Sequence, residues 1–197
     1  MKKFRLLDDL FLFCMDSRND KPVANTYLLK GDKNILIDAG FLVPEHVEEV
    51  VLTHCHFDHS NKCAEYKQRG SKILISEEGG KHLATNDEIM QPDWAKEQHG
   101  PSKACKPDTL LKPGDHIKNS NWNLEVISTP GHTPGSITLY DKKRKIAFTG
   151  DTWYGGDVFG ATRHPGGDKI ELLKSLNKLK KLDIVFLCPG HGTVKQM

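Results

Sequence analysis

Cysteine is scarce in this chain of 197 residues: Cys14, Cys55, Cys63, Cys105 and Cys188. Their number is odd and no Cys-x-x-Cys occurs, so no disulfide framework is read from them, and a chain of this length needs none. They are expected to be reduced thiols of a cytoplasmic protein. An excess of charge of one sign is also missing. Charged residues make up 27%, yet the formal net charge is only +2. That balance gives no reason to expect a nucleic-acid or membrane partner. The most basic run, Lys142-Lys143-Arg144-Lys145, lies between two apolar stretches and reads as a solvated hairpin turn. No apolar run is long enough to cross a bilayer. Asp8 and Asp9 interrupt the apolar stretch near the N-terminus and no small-residue cleavage site follows, so no signal peptide is expected. No low-complexity linker divides the chain, and 37% hydrophobic residues suit one domain over residues 1–197.

What is present is a strand rhythm. "LFLFCM", "VANTYLLKG" and "NILIDAG" fill the first third, "KILIS" follows, and "DHIKN", "WNLEVIST", "GSITLYD", "KIAFTGD" and "DIVFLCPGHG" come later. Each is short, apolar or alternating, and bounded by Gly, Asp, Asn or Pro. "PEHVEEVVLTH" predicts one helical turn before a strand at Val50. "SNKCAEYKQRG" predicts a helix capped by Ser60 and ended by Gly70. Residues 77–112 read as short helices and loop. "DKIELLKSLNKLKKL" predicts a helix whose core face carries Ile170, Leu173, Leu176 and Leu179, with Leu172 and Leu182 beside it. Two halves, each of strands and then helix, predict an α+β fold. Two sheets pack face to face with helices on the outer faces.

The chemistry is concentrated in "VVLTHCHFDHS". His54, His56, Asp58 and His59 crowd the end of the apolar strand Val50-Val51-Leu52. In an extended segment residues two apart project to one side, so His54 and His56 reach one point and Asp58 and His59 a neighbouring one. Imidazole and carboxylate suit Zn²⁺, and also Fe²⁺ or Mn²⁺. Alternation turns Cys55 the other way, as a buried core thiol, and Cys188 reads likewise. Further ligand-type residues stand where other strands run out: His132 in "STPGHTPGS", Asp151 in "KIAFTGD" and His191 in "FLCPGHG". Functional residues are commonly held at such loops by a rigid scaffold.

"LIDAG", "THCHFDHS", "PGHTPGS", "FTGDT" and "CPGHG", in that order, resemble the motifs of the metallo-β-lactamase superfamily, nearest its glyoxalase II-like branch, over roughly residues 23–194. The resemblance implies an αβ/βα sandwich with a two-metal site at one edge of its sheets. It implies that His54, His56 and His132 bind one metal, that Asp58, His59 and His191 bind the second, and that Asp151 bridges. Asp38 takes the place of an acidic residue behind the site that orients a ligand. Two divalent ions are implied, zinc first, with iron or manganese as alternatives. The reaction implied is attack by metal-bound hydroxide on a small ester or thioester, with Asp58 orienting the nucleophile and relaying its proton. An iron-dependent persulfide dioxygenase and a nucleotide phosphodiesterase are the alternatives. Ser60 replaces a glycine usual in the family. The short stretch from Asp38 to His54 leaves room for about one helical turn. The chain ends soon after His191, so the helical domain of glyoxalase II-type hydrolases is not expected. Trp153, Tyr154 and Phe159 are candidates to line a pocket, and Arg163 to meet an anionic substrate.

Overall fold

The computed structural model describes residues 1–14 and 24–197. Met15 of "LFLFCM" and Val23 of "VANTYLLKG" lie outside the described residues. Seven strands form one mixed sheet in chain order: β1 (Lys2–Leu7), β2 (Leu10–Cys14), β3 (Thr26–Leu29), β4 (Ile35–Ile37), β5 (Glu49–Val51), β6 (Lys72–Ser76) and β7 (Thr109–Leu111). The first four pair antiparallel, and β4 to β7 pair parallel. The second sheet comprises β8 (His116–Lys118), β9 (Asn123–Ser128), β10 (Ile137–Asp141), β11 (Ile146–Gly150), β12 (Phe186–Pro189) and β13 (Lys195–Gln196). Only β11 and β12 pair parallel in it.

Period-2 alternation builds the layers. Tyr27, Leu29, Ile35, Ile37, Val51 and Leu74 point into a core shared with Leu124, Leu139, Phe148 and Cys188 of the other sheet. Their neighbours Leu28, Leu36, Val50, Leu52, Ile73 and Ile75 face outward onto a second cluster with Cys63, Tyr66 and Leu83. Those last three come from the helices α2 (Cys63–Gln68) and α3 (Glu77–Thr85), which follow a single turn, α1 (Phe57–Ser60). A further helix, α4 (Asp93–His99), precedes β7. On the far side Tyr140, Ala147 and Leu187 meet α5 (Lys169–Leu179) through Leu172, Leu176 and Leu179. The expected sandwich of two mixed sheets with outer helices is therefore the observed one. No helix among the described residues is long and apolar enough to cross a membrane.

Several local expectations are corrected. Residues 44–48 form bends and no helical turn; Val43 and Val47 are buried and Glu48 accepts from Asn34 N at 2.7 Å, so the chain crosses to β5 directly. Ser60 does not cap a helix. It closes α1, and its hydroxyl donates back to the carbonyls of Cys55 (2.8 Å) and His56 (3.0 Å). The expected stop at Gly70 holds, since its φ of +92° suits glycine. On α5, Leu176 and Leu179 are buried as expected, but Ile170 (68% exposed) and Leu173 (43%) face solvent. The helix seats on Leu172, Ser175, Leu176 and Leu179 instead. Arg144 is not merely solvated in its hairpin turn: its guanidinium lies 4.1 Å from the Trp122 ring and forms two hydrogen bonds to Asp9.

Candidate metal centre

Five strand ends converge at one edge of the sandwich. Asp38 follows β4, the His54–His59 segment follows β5, His132 follows β9, Asp151 follows β11 and His191 follows β12. Backbone hydrogen bonds fasten these ends together: Asp38 N to Val51 O (3.0 Å), Ala39 N to His59 O (2.6 Å) and Gly190 N to Gly150 O (2.8 Å). The side chain of buried Asn25 binds the carbonyls of Pro189 and Gly192, which fixes the loop bearing His191.

All seven predicted ligand-type residues come together. The donor atoms of His54, His56 and His132 lie within 4.8 Å of one another, and so do those of Asp58, His59 and His191. Asp151 stands between the two groups. Its Oδ1 is 3.2 Å from His59 Nε2, and its Oδ2 is 3.5 Å from His132 Nε2 and 3.4 Å from His191 Nε2. His191 Nε2 is also 3.1 Å from Asp58 Oδ2.

Three histidines have one ring nitrogen engaged away from the cluster. His59 Nδ1 donates to Asp38 Oδ2 (2.8 Å), His132 Nδ1 to the Ala161 carbonyl (2.7 Å), and His54 Nδ1 to Thr53 Oγ1 (3.1 Å). The Thr53 hydroxyl passes its own proton to Asp38 (2.9 Å). In the neutral ring each Nε2 then presents a lone pair inward, the arrangement that metal-binding histidines require. His56 Nδ1 faces two of these nitrogens, His54 Nε2 at 3.2 Å and His132 Nε2 at 2.9 Å. One proton cannot serve all three, but one cation can. His59 Nε2 and Asp151 Oδ1, 3.2 Å apart, are likewise buried without a well-aligned hydrogen bond. Orphaned buried polar atoms of this kind are uncommon in folded proteins. The residues present therefore fit a metal.

The electrostatics agree. Burial, reinforced by neighbouring imidazoles, holds His56 down to about 3 and His54 well below the usual histidine range. Burial opposes ionisation of Asp151 and Asp58, but His59 and His191 outweigh it and keep both carboxyls below their ordinary values. Burial also opposes charge on His59 and His191, and there the carboxylates win; His191 is raised to about 9. The side of the centre that carries Asp58 and Asp151 favours positive charge, while His54 and His56 are held neutral. Cys55 is buried beneath it, with its thiol pushed up to about 12 by burial, and burial raises Cys188 as well. Both are core thiols, as expected.

A cleft of about 270 Å³ opens onto the cluster and is lined also by Phe57, Pro92, Trp94, Tyr154, Ala161 and His164. Tyr154 sits where the sequence suggested. Trp153 does not line this cleft: it is buried against Leu172 and Leu176, and its Nε1 donates to the Gly156 carbonyl. Phe159 and Arg163 are exposed and are also absent from the lining. Trp94 and His164 were not singled out in the sequence. They lie far apart along the chain, in segments without periodicity, and no local pattern marks them.

This fold and this cluster define a metal-dependent protein of the αβ/βα type. A family model described as the metallo-beta-lactamase superfamily matches residues 20–191, and the chain belongs to that superfamily. It is 34% identical over 191 residues to the probable metallo-hydrolase MJ0888 of Methanocaldococcus jannaschii, covering 87% of this chain and 88% of that protein. It is 34% identical over 153 residues to the hydroxyacylglutathione hydrolase GloC of Haemophilus influenzae, covering 75% and 70%. A crystal structure of TTHA1623 in a di-iron-bound form superposes with a TM-score of 0.73 at 25% identity, covering 88% of this chain and 89% of that one.

Proposed function

We propose that this metallohydrolase cleaves a small ester or thioester, using two divalent metal ions. The observation that carries the reading is the meeting of two donor groups at Asp151. In this reading His54, His56 and His132 hold one ion, Asp58, His59 and His191 hold the other, and Asp151 bridges them. Zinc is the first expectation, and iron or manganese suit the same donors. When bound, such ions bring the pKa of water down to about 7 and polarise the carbonyl under attack. The chain's own residues do the rest. Asp58 lines the cleft, with its Oδ2 3.1 Å from His191 Nε2, so it is placed to orient the attacking water and take its proton. Asp38 and Thr53 keep His59 and His54 in the tautomers that face inward. The similarity to a hydroxyacylglutathione hydrolase supports a thioester, and the buried thiols of Cys55, Cys63, Cys105 and Cys188 support a cytoplasmic location. The test is elemental analysis of protein purified without chelator, followed by a panel of thioester, lactone and phosphodiester substrates. Between one and two equivalents of metal and thioester turnover are expected; a chain that takes up no metal on reconstitution refutes the reading.

A second reading is persulfide oxygenation by an iron form. It is favoured by the di-iron state in which a 25% identical protein was crystallised. Oxygen uptake by the iron form on a persulfide, with no thioester hydrolysis, would establish it over the first.

A further inference from the structure

The cleft has two unlike walls. One is the donor cluster. The other is Phe57, Pro92, Trp94, Ala161 and His164, drawn from α1, α4 and the segment after β11. This second wall is built, not incidental. Gln91 is fully buried and clasps both ends of the α4 excursion: Nε2 donates to Gly100 O (2.8 Å) and Oε1 accepts from Ser102 N (2.7 Å). Phe57 N donates to Met90 O (2.9 Å), and its ring stacks on His99 with centroids 5.6 Å apart. The wall also begins at the cluster itself. The His164 ring meets the His56 ring edge-on at 6.2 Å, and the Trp94 ring lies 6.0 Å beyond His164. Trp94 remains 45% exposed at the mouth of the cleft. Large rings left in water beside a reacting centre offer apolar area to whatever enters it.

We propose that this wall is the acyl-group subsite and that it selects an uncharged apolar or aromatic acyl chain. The inference rests on the hydrolase reading above. The acyl side chain is the part bonded directly to the carbonyl carbon, and the wall starts directly beside the donor cluster. The cleft opens to solvent at Trp94, so the wall covers a short chain or a single ring and leaves the rest of a long one in water. Burying a methylene is worth about 0.8 kcal/mol, or roughly fourfold, so each one the wall covers raises kcat/KM by up to that factor.

The test uses metal-reconstituted protein and thioesters of one small neutral thiol carrying acetyl, butyryl, hexanoyl or benzoyl groups. In parallel, binding of the matching ketones, with methylene in place of sulfur, is measured by calorimetry. From acetyl to butyryl, kcat/KM should rise about tenfold, and ketone affinity should rise with it. Trp94→Ala should flatten both series to within about threefold, and Trp94→Phe should restore most of the slope. A slope that survives Trp94→Ala and His164→Ala, or one that appears only when the thiol is lengthened, overturns the proposal. The two readings fail separately. Ketone binding that depends on chain length and on Trp94 without any turnover sinks the hydrolase and keeps the subsite. Turnover indifferent to the acyl group does the reverse.

Discussion

Asp38 holds His59 from behind. His59 Nδ1 donates to Asp38 Oδ2 at 2.8 Å, both side chains are buried, and Asp38 sits at φ +62°, in the left-handed region that few non-glycine residues adopt and that aspartate tolerates better than most. The same carboxylate accepts from Thr53 N at 2.8 Å and from its hydroxyl. Strained backbone kept at a functional site is over-determined by its surroundings, and here three donors from two residues, Thr53 N, Thr53 Oγ1 and His59 Nδ1, meet on one carboxylate. Asp38→Ala should leave the sandwich folded but lower metal affinity by about 10–100-fold, the usual cost of losing a group that orients a ligand. Asp38→Gly relieves the backbone and should be more stable than Asp38→Ala while binding metal equally poorly. Chelator competition and thermal melting read the two effects apart; normal metal affinity in both variants would remove Asp38 from this role.

Asp151→Ala should abolish turnover and weaken uptake of both metals, because its two oxygens approach histidines of both groups. His191→Ala should lower the second equivalent and spare most of the first, since His191 meets Asp58, His59 and Asp151 and is not grouped with His54, His56 and His132. Elemental analysis of each variant gives the answer. Near-normal turnover in Asp151→Ala would show that the bridging assignment is wrong.

Gly190 has no room for a side chain. A Cβ there would stand 2.3 Å from Asp151 Oδ1 and 2.6 Å from the His59 ring. Both neighbours are buried ligand-type residues that cannot move without leaving the cluster. Gly190→Ala should therefore cost at least about tenfold in metal affinity, comparable with loss of a supporting residue, while circular dichroism stays native. Unchanged metal binding would mean that the cluster tolerates displacement the geometry forbids.

The cluster of histidines and aspartates was legible because its signals are local. His54 and His56 obey strand alternation, and His132, Asp151 and His191 each follow an apolar run and a Gly or Pro. The layers were legible for the same reason, as in Ile35-Leu36-Ile37, which splits between two cores. What sequence reading missed depends on tertiary partners. β1 is an edge strand in which only Leu6 and Leu7 are partly buried, so no alternation of apolar and polar residues marks it. β7 and β13 are short and exist through pairing with β6 and β12. The face of α5 was misjudged because Ile170 and Leu173 continue an apolar stripe that the sheet does not cover. The cleft wall was hidden because Trp94 and His164 meet only after folding.

Proton competition should govern metal uptake. His191 in the metal-free protein is raised to about 9, burial opposing its charge and Asp151 and Asp58 outweighing burial. Its folded value lies above the ordinary value of about 6.5. The charged form therefore stabilises the metal-free fold fully below about pH 6.5, and this contribution is lost as pH rises through about 9. A metal must displace that proton. Displacing the His191 proton alone should raise apparent affinity for the second metal by up to about tenfold per pH unit until about pH 9, and His59, also held charged, steepens the climb. Chelator competition at several pH values, with proton release followed in weak buffer, measures the slope. A flat profile would place His191 outside the metal shell.

Substrate discrimination should be modest on the thiol side. Among the described residues no lysine or arginine lines the cleft, and Arg163 is exposed outside it. Glutathione carries two carboxylates, and recognition of such groups rests on charge-assisted hydrogen bonds, most specifically from arginine. Binding energy from remote parts of a substrate is what raises turnover at the reacting centre. Without those contacts a glutathione thioester gains little over a truncated thioester bearing the same acyl group. We expect kcat/KM values within about tenfold of each other, or roughly 1.4 kcal/mol. Comparing the two substrates on zinc and iron forms, with Arg163→Ala alongside, decides the matter. A preference above a hundredfold that falls in Arg163→Ala would show that Arg163 reaches the bound thiol after all. A preference that large and unaffected by Arg163→Ala would place the anion-binding contacts elsewhere around the cleft.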